Sequence, residues 1–198
     1  MEESTQLSGG SDVINTEPND KELVRRCLDG SEEAFETLVD RYQKVVFNVA
    51  YRMLNDYDAA EDITQSVFIK GFEKMKTFNP KYKFFSWLYR IAVNETLNYI
   101  NRSKRFEDLS PNMISDRKSP EREFREAELR GKMEEALMEL DPKYRIVLVL
   151  KHFRQCSYKD MSVALKIPEN KVKSRLFTAR QLLRLVLTRR GIVGNEVR

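Results

Sequence analysis

Glycine is scarce in this chain, seven among 198 residues, and no cluster of it forms a phosphate-binding loop. His152 is the only histidine, which leaves general acid-base chemistry little to work with. Cys27 and Cys156 lie far apart and outside any CxxC or Cys/His spacing, so the sequence offers no metal site. They read as small buried thiols in a reducing compartment. No stretch reaches the roughly 18 apolar residues of a membrane span. The N-terminus lacks a basic-then-apolar leader, so a cytoplasmic protein without membrane insertion is expected. Strand-like alternation is missing too. Together these gaps make an enzyme the least favoured class, with no cofactor expected.

What is present is charge and helical periodicity. Charged residues make up 33% of the chain and hydrophobic ones 41%, the profile of an all-α protein. The length suits two small helical domains. A net charge of +4 is modest, so a nucleic-acid partner must be argued from where the charge sits. From Asn170 to Arg190 there are seven cations, Lys171, Lys173, Arg175, Arg180, Arg184, Arg189 and Arg190, and no acid. Acids gather near Asp56 to Asp62 and in the middle of the chain.

Residues 1 to 19 are polar and acidic, with too little apolar content to repay ordering, and read as a disordered tail. A short helix follows from Asn19 or Asp20, with Leu23, Val24, Cys27 and Leu28 on one side and Gly30 as its stop. Ser31 caps a longer core helix, in which Phe35, Leu38, Tyr42, Val45, Val49 and Met53 recur every three or four residues. After a turn at 55–57, Asp58 and Glu61 have capping-box spacing. The helix they open carries Ala60, Ile63, Val67, Gly71 and Met75 on one face and Asp62, Gln65, Ser66, Ile69 and Glu73 on the other. Ile69 in that polar face reads equally well as a docking residue or as a stray exposed side chain.

The stretch TFNPKYKFFSW places Phe78, Tyr82, Phe84, Phe85 and Trp87 beside Lys81 and Lys83 around an Asn79-Pro80 turn. Aromatic faces beside ammonium groups suit unpaired bases, by stacking and phosphate attraction. Phe84 and Phe85 read rather as core plugs, leaving Tyr82 and the lysines for the surface. A helix from Ser86 to about Arg105 then places Trp87, Arg90, Asn94, Asn98, Asn101 and Arg105 in one sector, with Leu88, Ala92, Thr96 and Tyr99 opposite. Asparagine is a poor helix former, so a stripe of it points to amides in use. Carboxamides between arginines can meet base edges while the cations meet phosphates.

Prolines 111 and 120 with several serines mark a flexible linker over residues 106 to 125. The second domain, 126 to 190, opens with Ala127, Leu129, Met133, Leu137 and Leu140 on one helix face, and Asp141-Pro142 starts the next helix. Ser157 and Asp160 have capping-box spacing, Ile167-Pro168 breaks their helix, and Asn170 can cap a basic one. Val172, Leu176, Ala179, Leu183 and Leu187 form its buried seam, leaving Lys171, Lys173, Ser174, Phe177, Thr178 and Gln181 outward or flanking. Such a pair is a helix-turn-helix arrangement, whose second helix enters the major groove.

The runs DAAEDITQSVFIKGF, FFSWLYRIAVNETLNYINRSKR and YRIVLVLKHFRQCSYKDMSVALKIPENKVKSRLFTARQLL together resemble the two domains of bacterial extracytoplasmic-function (ECF) sigma factors, over about Leu23 to Leu187. The resemblance implies a dissociable RNA polymerase subunit, with core RNA polymerase and promoter DNA as partners. It implies that Asp62, Gln65 and Ile69 meet the polymerase clamp helices. It places Lys81, Tyr82, Lys83, Arg90, Asn94, Asn98 and Asn101 at the −10 element, where a base is flipped and held. Lys171, Lys173, Ser174, Phe177, Thr178 and Gln181 fall at the duplex −35 element. Members of the family are often held by an anti-sigma factor, which nothing in this chain identifies. Gln155, Asn170 and Lys171 stand where the family commonly carries glycine or its turn residues, and Thr178 where a longer basic residue is frequent. A helix-turn-helix regulator that is not a polymerase subunit explains residues 127 to 190 equally well but leaves Asp58 to Arg105 without a role. A protein-interaction adaptor leaves the acid-free helix and the asparagine stripe without one.

Overall fold

The computed structural model describes residues 18–107 and 124–192, with side chains described to 103 and again from 131. Most of the expected tail and linker, together with the side chains of Arg105, Ala127 and Leu129, lie outside these residues. Among the described residues all regular structure is helical.

The first domain is built around α2 (Glu32–Leu54), against which α1 (Asp20–Leu28), α3 (Tyr57–Glu73) and α4 (Phe84–Glu107) pack. Asn19 caps α1 through the Glu22 amide at 3.0 Å, and Gly30, at φ +94, turns the chain into the Ser31 cap of α2. Leu23, Val24 and Cys27 enter the core as the periodicity requires, whereas Leu28 is 46% exposed. It lies in the last turn of α1. Ala60, Ile63, Val67 and Gly71 of α3 are buried as expected, with Ala59 and Phe68 added to them, while Met75 is buried beyond the end of the helix, in a 3-10 turn over Met75–Thr77. Its cap is Asp56, not Asp58. Asn55 takes the left-handed conformation that ends α2, which leaves Asp56 extended with its carboxylate on the Ala59 amide at 3.0 Å. Tyr57 therefore already belongs to the helix, and Asp58 lies in its first turn.

The second domain comprises α5 (Phe124–Met138), α6 (Pro142–Leu148), α7 (Tyr158–Leu165) and α8 (Glu169–Arg189). Pro142 occupies the first turn of α6 and Asp141 caps it through the Lys143 amide. A π-helical turn, Val149–Phe153, then widens the backbone. Gln155 closes the connection with φ 50, the left-handed conformation that glycine adopts more readily. Ser157 and Asp160 form the full capping box of α7. Lys166, with φ 55, makes the turn into α8. Pro168, extended at φ −59 and ψ 150, holds the N-cap position, so Asn170 falls inside the first turn.

The two domains share one core. Val49 and Met53 of α2 and Tyr89 and Val93 of α4 lie in the same buried cluster as Leu137, Ile146, Leu150 and Met161 of the second domain. Cys156 is buried there as well, and Cys27 is buried in the first domain.

Candidate functional site

Three surfaces carry the residues singled out by the sequence. On α3, Asp62, Gln65 and Ile69 are all exposed, Ile69 by 61%. Phe72, one turn further on, is 56% exposed and lies edge-to-face with Phe35, at 5.0 Å between ring centroids. Ile69 and Phe72, three residues apart on α3, are thus two exposed apolar side chains in sequence with the exposed Gln65 and Asp62. The sequence reading missed Phe72, although its spacing of three from Ile69 carries the signal. Behind the strip, Lys70 pairs with Glu95 and ties α3 to α4.

The second surface is the turn before α4. The Asn79 side chain accepts from the Lys81 amide at 2.9 Å and its carbonyl from the Tyr82 amide at 3.0 Å, which presents Lys81, Tyr82 and Lys83 to solvent. Phe84 plugs the core beneath, 5.5 Å from Tyr42 and Phe78 and 5.4 Å from Trp87. Trp87 is buried in this aromatic group, so it is a core residue, and of the expected sector of α4 Asn94, Asn98 and Asn101 are exposed. Tyr99, expected inside, is 39% exposed.

Arg90 and Lys83 do not stand free beside that stripe. Nε and Nη2 of Arg90 donate to the Val163 carbonyl of α7 at 2.9 and 2.6 Å. Lys83 Nζ is 3.4 Å from the Asp160 carboxylate, which also accepts from the Ser86 hydroxyl at 3.4 Å. Burial pushes the Asp160 carboxyl up, but the Ser157 hydrogen bond and the Lys83 charge outweigh it and hold the group below its ordinary range. Nearby, Arg154 donates to the Tyr89 hydroxyl at 2.8 Å. Burial pushes that phenol up to about 12 against the opposing influence of Arg154.

The third surface is the outer face of α8. Lys171, Lys173, Ser174, Phe177 and Gln181 are exposed and Thr178 is half-buried, while Val172, Leu176, Ala179 and Leu187 face inward. Phe177, 66% exposed, is an apolar side chain without a core to fill. Lys173 leans over the Tyr158 ring at 5.5 Å, and the Thr178 hydroxyl donates back to the Ser174 carbonyl at 3.2 Å. A short capped helix, a left-handed turn and a basic helix with an outward face constitute a helix-turn-helix reader. Among the described residues no group of three His, Cys, Asp or Glu side chains is placed to hold a metal, and no helix is long and apolar enough to cross a membrane.

Residues 38–106 match the model of sigma-70 region 2, and residues 130–183 match that of sigma-70 region 4. The chain is 30% identical to the RNA polymerase sigma-H factor of Pseudomonas aeruginosa, over 85% of this chain and 93% of that protein. It is 31% identical to the ECF RNA polymerase sigma factor SigW of Bacillus subtilis, over 83% and 94% of the two chains. The chain belongs to the ECF family of RNA polymerase sigma factors. The same fold occurs in CnrH, solved with the cytosolic domain of CnrY, at a TM-score of 0.64 and 23% identity over 85% of this chain and 97% of that one. It also occurs in the sigma factor RpoE of Bartonella quintana, solved with the anti-sigma factor NepR, at 0.66 and 21% over 78% and 96%.

Proposed function

We propose that this sigma factor divides its work among the three surfaces. The α3 strip of Asp62, Gln65 and Ile69, extended by Phe72, docks on core RNA polymerase. Lys81, Tyr82, Lys83, Arg90, Asn94, Asn98 and Asn101 hold the melted −10 element, the aromatic and amide groups trapping a flipped base and the cations its phosphates. Flipping costs about a few kcal/mol, which a pocket for the extruded base can offset without ATP. Lys171, Lys173, Ser174, Phe177, Thr178 and Gln181 read the −35 duplex and set the register. Residues 20–105 and 126–190 act as the two functional units, with the intervening linker spanning the polymerase surface between them. Bond making belongs to the polymerase, and the chain itself is no enzyme. It works in the cytoplasm, where polymerase and DNA are, and an anti-sigma factor is a further partner, as for the RpoE factor of Bartonella quintana.

The observation that carries this reading is the presence in one chain of the exposed Ile69–Phe72 strip and a basic outer face of α8 with no acid beyond Glu169 in its first turn. A regulator acting alone needs only the second. Footprinting of the polymerase-bound protein on a promoter tests it. Protection of an upstream duplex element with permanganate-reactive thymines downstream is the expected pattern. Protection of duplex alone, with or without polymerase, would contradict it.

A further inference from the structure

We infer that Lys74 and Lys76, together with Lys81, form a phosphate track that holds the melted DNA strand where it runs on downstream from the −10 element. The inference rests on the assignment of Lys81 and Tyr82 to that element and adds two cations to it. Lys74, Lys76 and Lys81 are all exposed, and Glu73 is the only acid between Phe72 and Lys83. Lys70 and Lys83, at either end of this stretch, meet the carboxylates of Glu95 and Asp160. The ammonium groups of Lys74, Lys76 and Lys81 meet no carboxylate among the described residues. The macrodipole of α3 accounts for a cation at its C-cap, Lys74, but not for those at 76 and 81.

The segment that carries these lysines is stapled from within. The Thr77 amide donates to the Lys74 carbonyl at 2.8 Å and the Phe78 amide to the Met75 carbonyl at 3.0 Å, closing the 3-10 turn. The Thr77 hydroxyl donates to the Lys74 carbonyl as well, at 2.7 Å. Met75 is buried, and the Phe78 ring lies 5.5 Å from Phe84 and 5.8 Å from Trp87, so both side chains anchor the turn in the core. Lys74 and Lys76 flank Met75 on the outer side, and Asn79 fixes the backbone at Lys81. The cations are therefore mounted on a backbone already ordered before DNA arrives, which confines the entropic cost of binding to their own stems.

The chemistry of the track fits phosphates rather than bases. Stacking needs an exposed ring, and the aromatic residue that follows the turn, Phe78, is spent on Phe84 and Trp87. Bidentate readout of a base edge needs a free carboxamide, and the Asn79 oxygen already accepts from the Lys81 amide. What remains outward is positive charge on long stems, which neutralises phosphates whatever the sequence. The direction follows from chain order. From this loop α4 leads through Asn94, Asn98 and Asn101 towards the domain that reads the −35 duplex, so the loop end of the −10 surface is its downstream end. Single-stranded DNA leaving the pocket there passes the three lysines.

Binding of the full-length protein, assembled with core RNA polymerase, to fluorescent non-template-strand oligonucleotides tests this. Two probes are taken from a promoter mapped by run-off transcription, one ending at the −10 element and one continuing to the start site. The double variant Lys74→Gln/Lys76→Gln should bind the longer probe about tenfold more weakly than wild type at low salt. Its slope of log affinity against log salt should be shallower by about 1.4, from about 0.7 for each of two phosphates. Binding of the shorter probe, affinity for core polymerase and thermal unfolding should be unchanged, and Lys74→Arg/Lys76→Arg should behave as wild type. Changing the bases downstream of the −10 element should leave the difference in place. Wild-type affinity and slope for the longer probe in the glutamine variant would overturn the track. Equal losses on both probes would move the two lysines to the −10 element itself, and loss of core affinity would assign them to an acidic surface of the polymerase; either result contradicts the track. Wild-type protein that, with core, binds the shorter probe no better than core alone would overturn the −10 reading and the track with it.

Discussion

Arg145, 5% exposed, donates to the main-chain carbonyl of Met53 across the junction of the two domains. The same guanidinium donates to the carbonyls of Leu137, at 2.9 Å, Met138, at 2.7 Å, and Leu140, at 3.0 Å, at the end of α5. Burial holds its pKa below the usual arginine range, with Asp141 opposing. One side chain thus donates to carbonyls at the ends of two helices, α5 in its own domain and α2 in the other.

Replacing it is expected to be costly. Arg145→Met keeps much of the volume but removes a donor from four carbonyls, of which Leu137 keeps the Leu140 amide at 3.1 Å, at about 1 kcal/mol or more for each of the other three when no water can replace it. A loss of about 3 kcal/mol in urea unfolding is expected. A change below about 0.5 kcal/mol, the range of surface substitutions, would mean that water or a neighbour takes over.

On the polymerase-docking strip the expectation is the opposite, loss of binding without loss of stability. Ile69→Asp places a charge at a site already exposed, so thermal unfolding should be unchanged. Affinity for core polymerase should fall at least about tenfold, equivalent to about 1.4 kcal/mol. Charge reversal at Asp62 should act in the same direction while leaving −35 duplex binding alone. Wild-type affinity for core in both variants would remove α3 from the docking surface.

Asn94 is exposed on the outer face of α4. Asn94→Ala should therefore leave polymerase binding intact and reduce promoter opening, followed by permanganate reactivity at saturating protein. Failure of the variant to bind core polymerase would give this residue a structural or docking role instead.

Much of this architecture is legible in the sequence because it is local. The Ser157–Asp160 capping box, the α8 seam of Val172, Leu176 and Ala179, and the exposed face of Asp62, Gln65 and Ile69 all follow from spacing along one helix. Caps were missed where two candidates compete: Asp56 and Asp58 both offer a carboxylate, and backbone conformation at Asn55 selects the first. Two of the three left-handed non-glycine residues, Gln155 and Lys166, are types that no side-chain preference marks. The commitment of Arg90 to Val163 was invisible for a deeper reason. Helical spacing places Arg90 beside the asparagines, but the acceptor is a main-chain oxygen in another domain, and a carbonyl leaves no trace in a residue pattern.

Alkaline pH should loosen the shared core through Cys156. Burial, joined by the Asp160 charge, pushes its thiol from 9.0 to about 11 against the charges of Arg154, Lys151 and Lys83. A group whose folded pKa is raised contributes stability that is complete below pH 9.0 and is lost as pH rises through about 11. The decline in unfolding free energy over that window is at most about 2.7 kcal/mol. Cys156→Ala should flatten it, whatever its effect on stability at pH 7. An equal decline in the variant would assign the effect to other groups, Tyr89 among them.

Run-off transcription with purified core RNA polymerase on a genomic promoter library, with and without this protein, bears most directly on the assignment as a whole. New transcript starts sharing two spaced upstream motifs are expected, with Asn94→Ala reducing transcript yield from those starts and Ile69→Asp abolishing them at limiting protein. No new starts, from a protein that still binds duplex DNA by itself, would contradict the sigma-factor account and leave a helix-turn-helix regulator in its place.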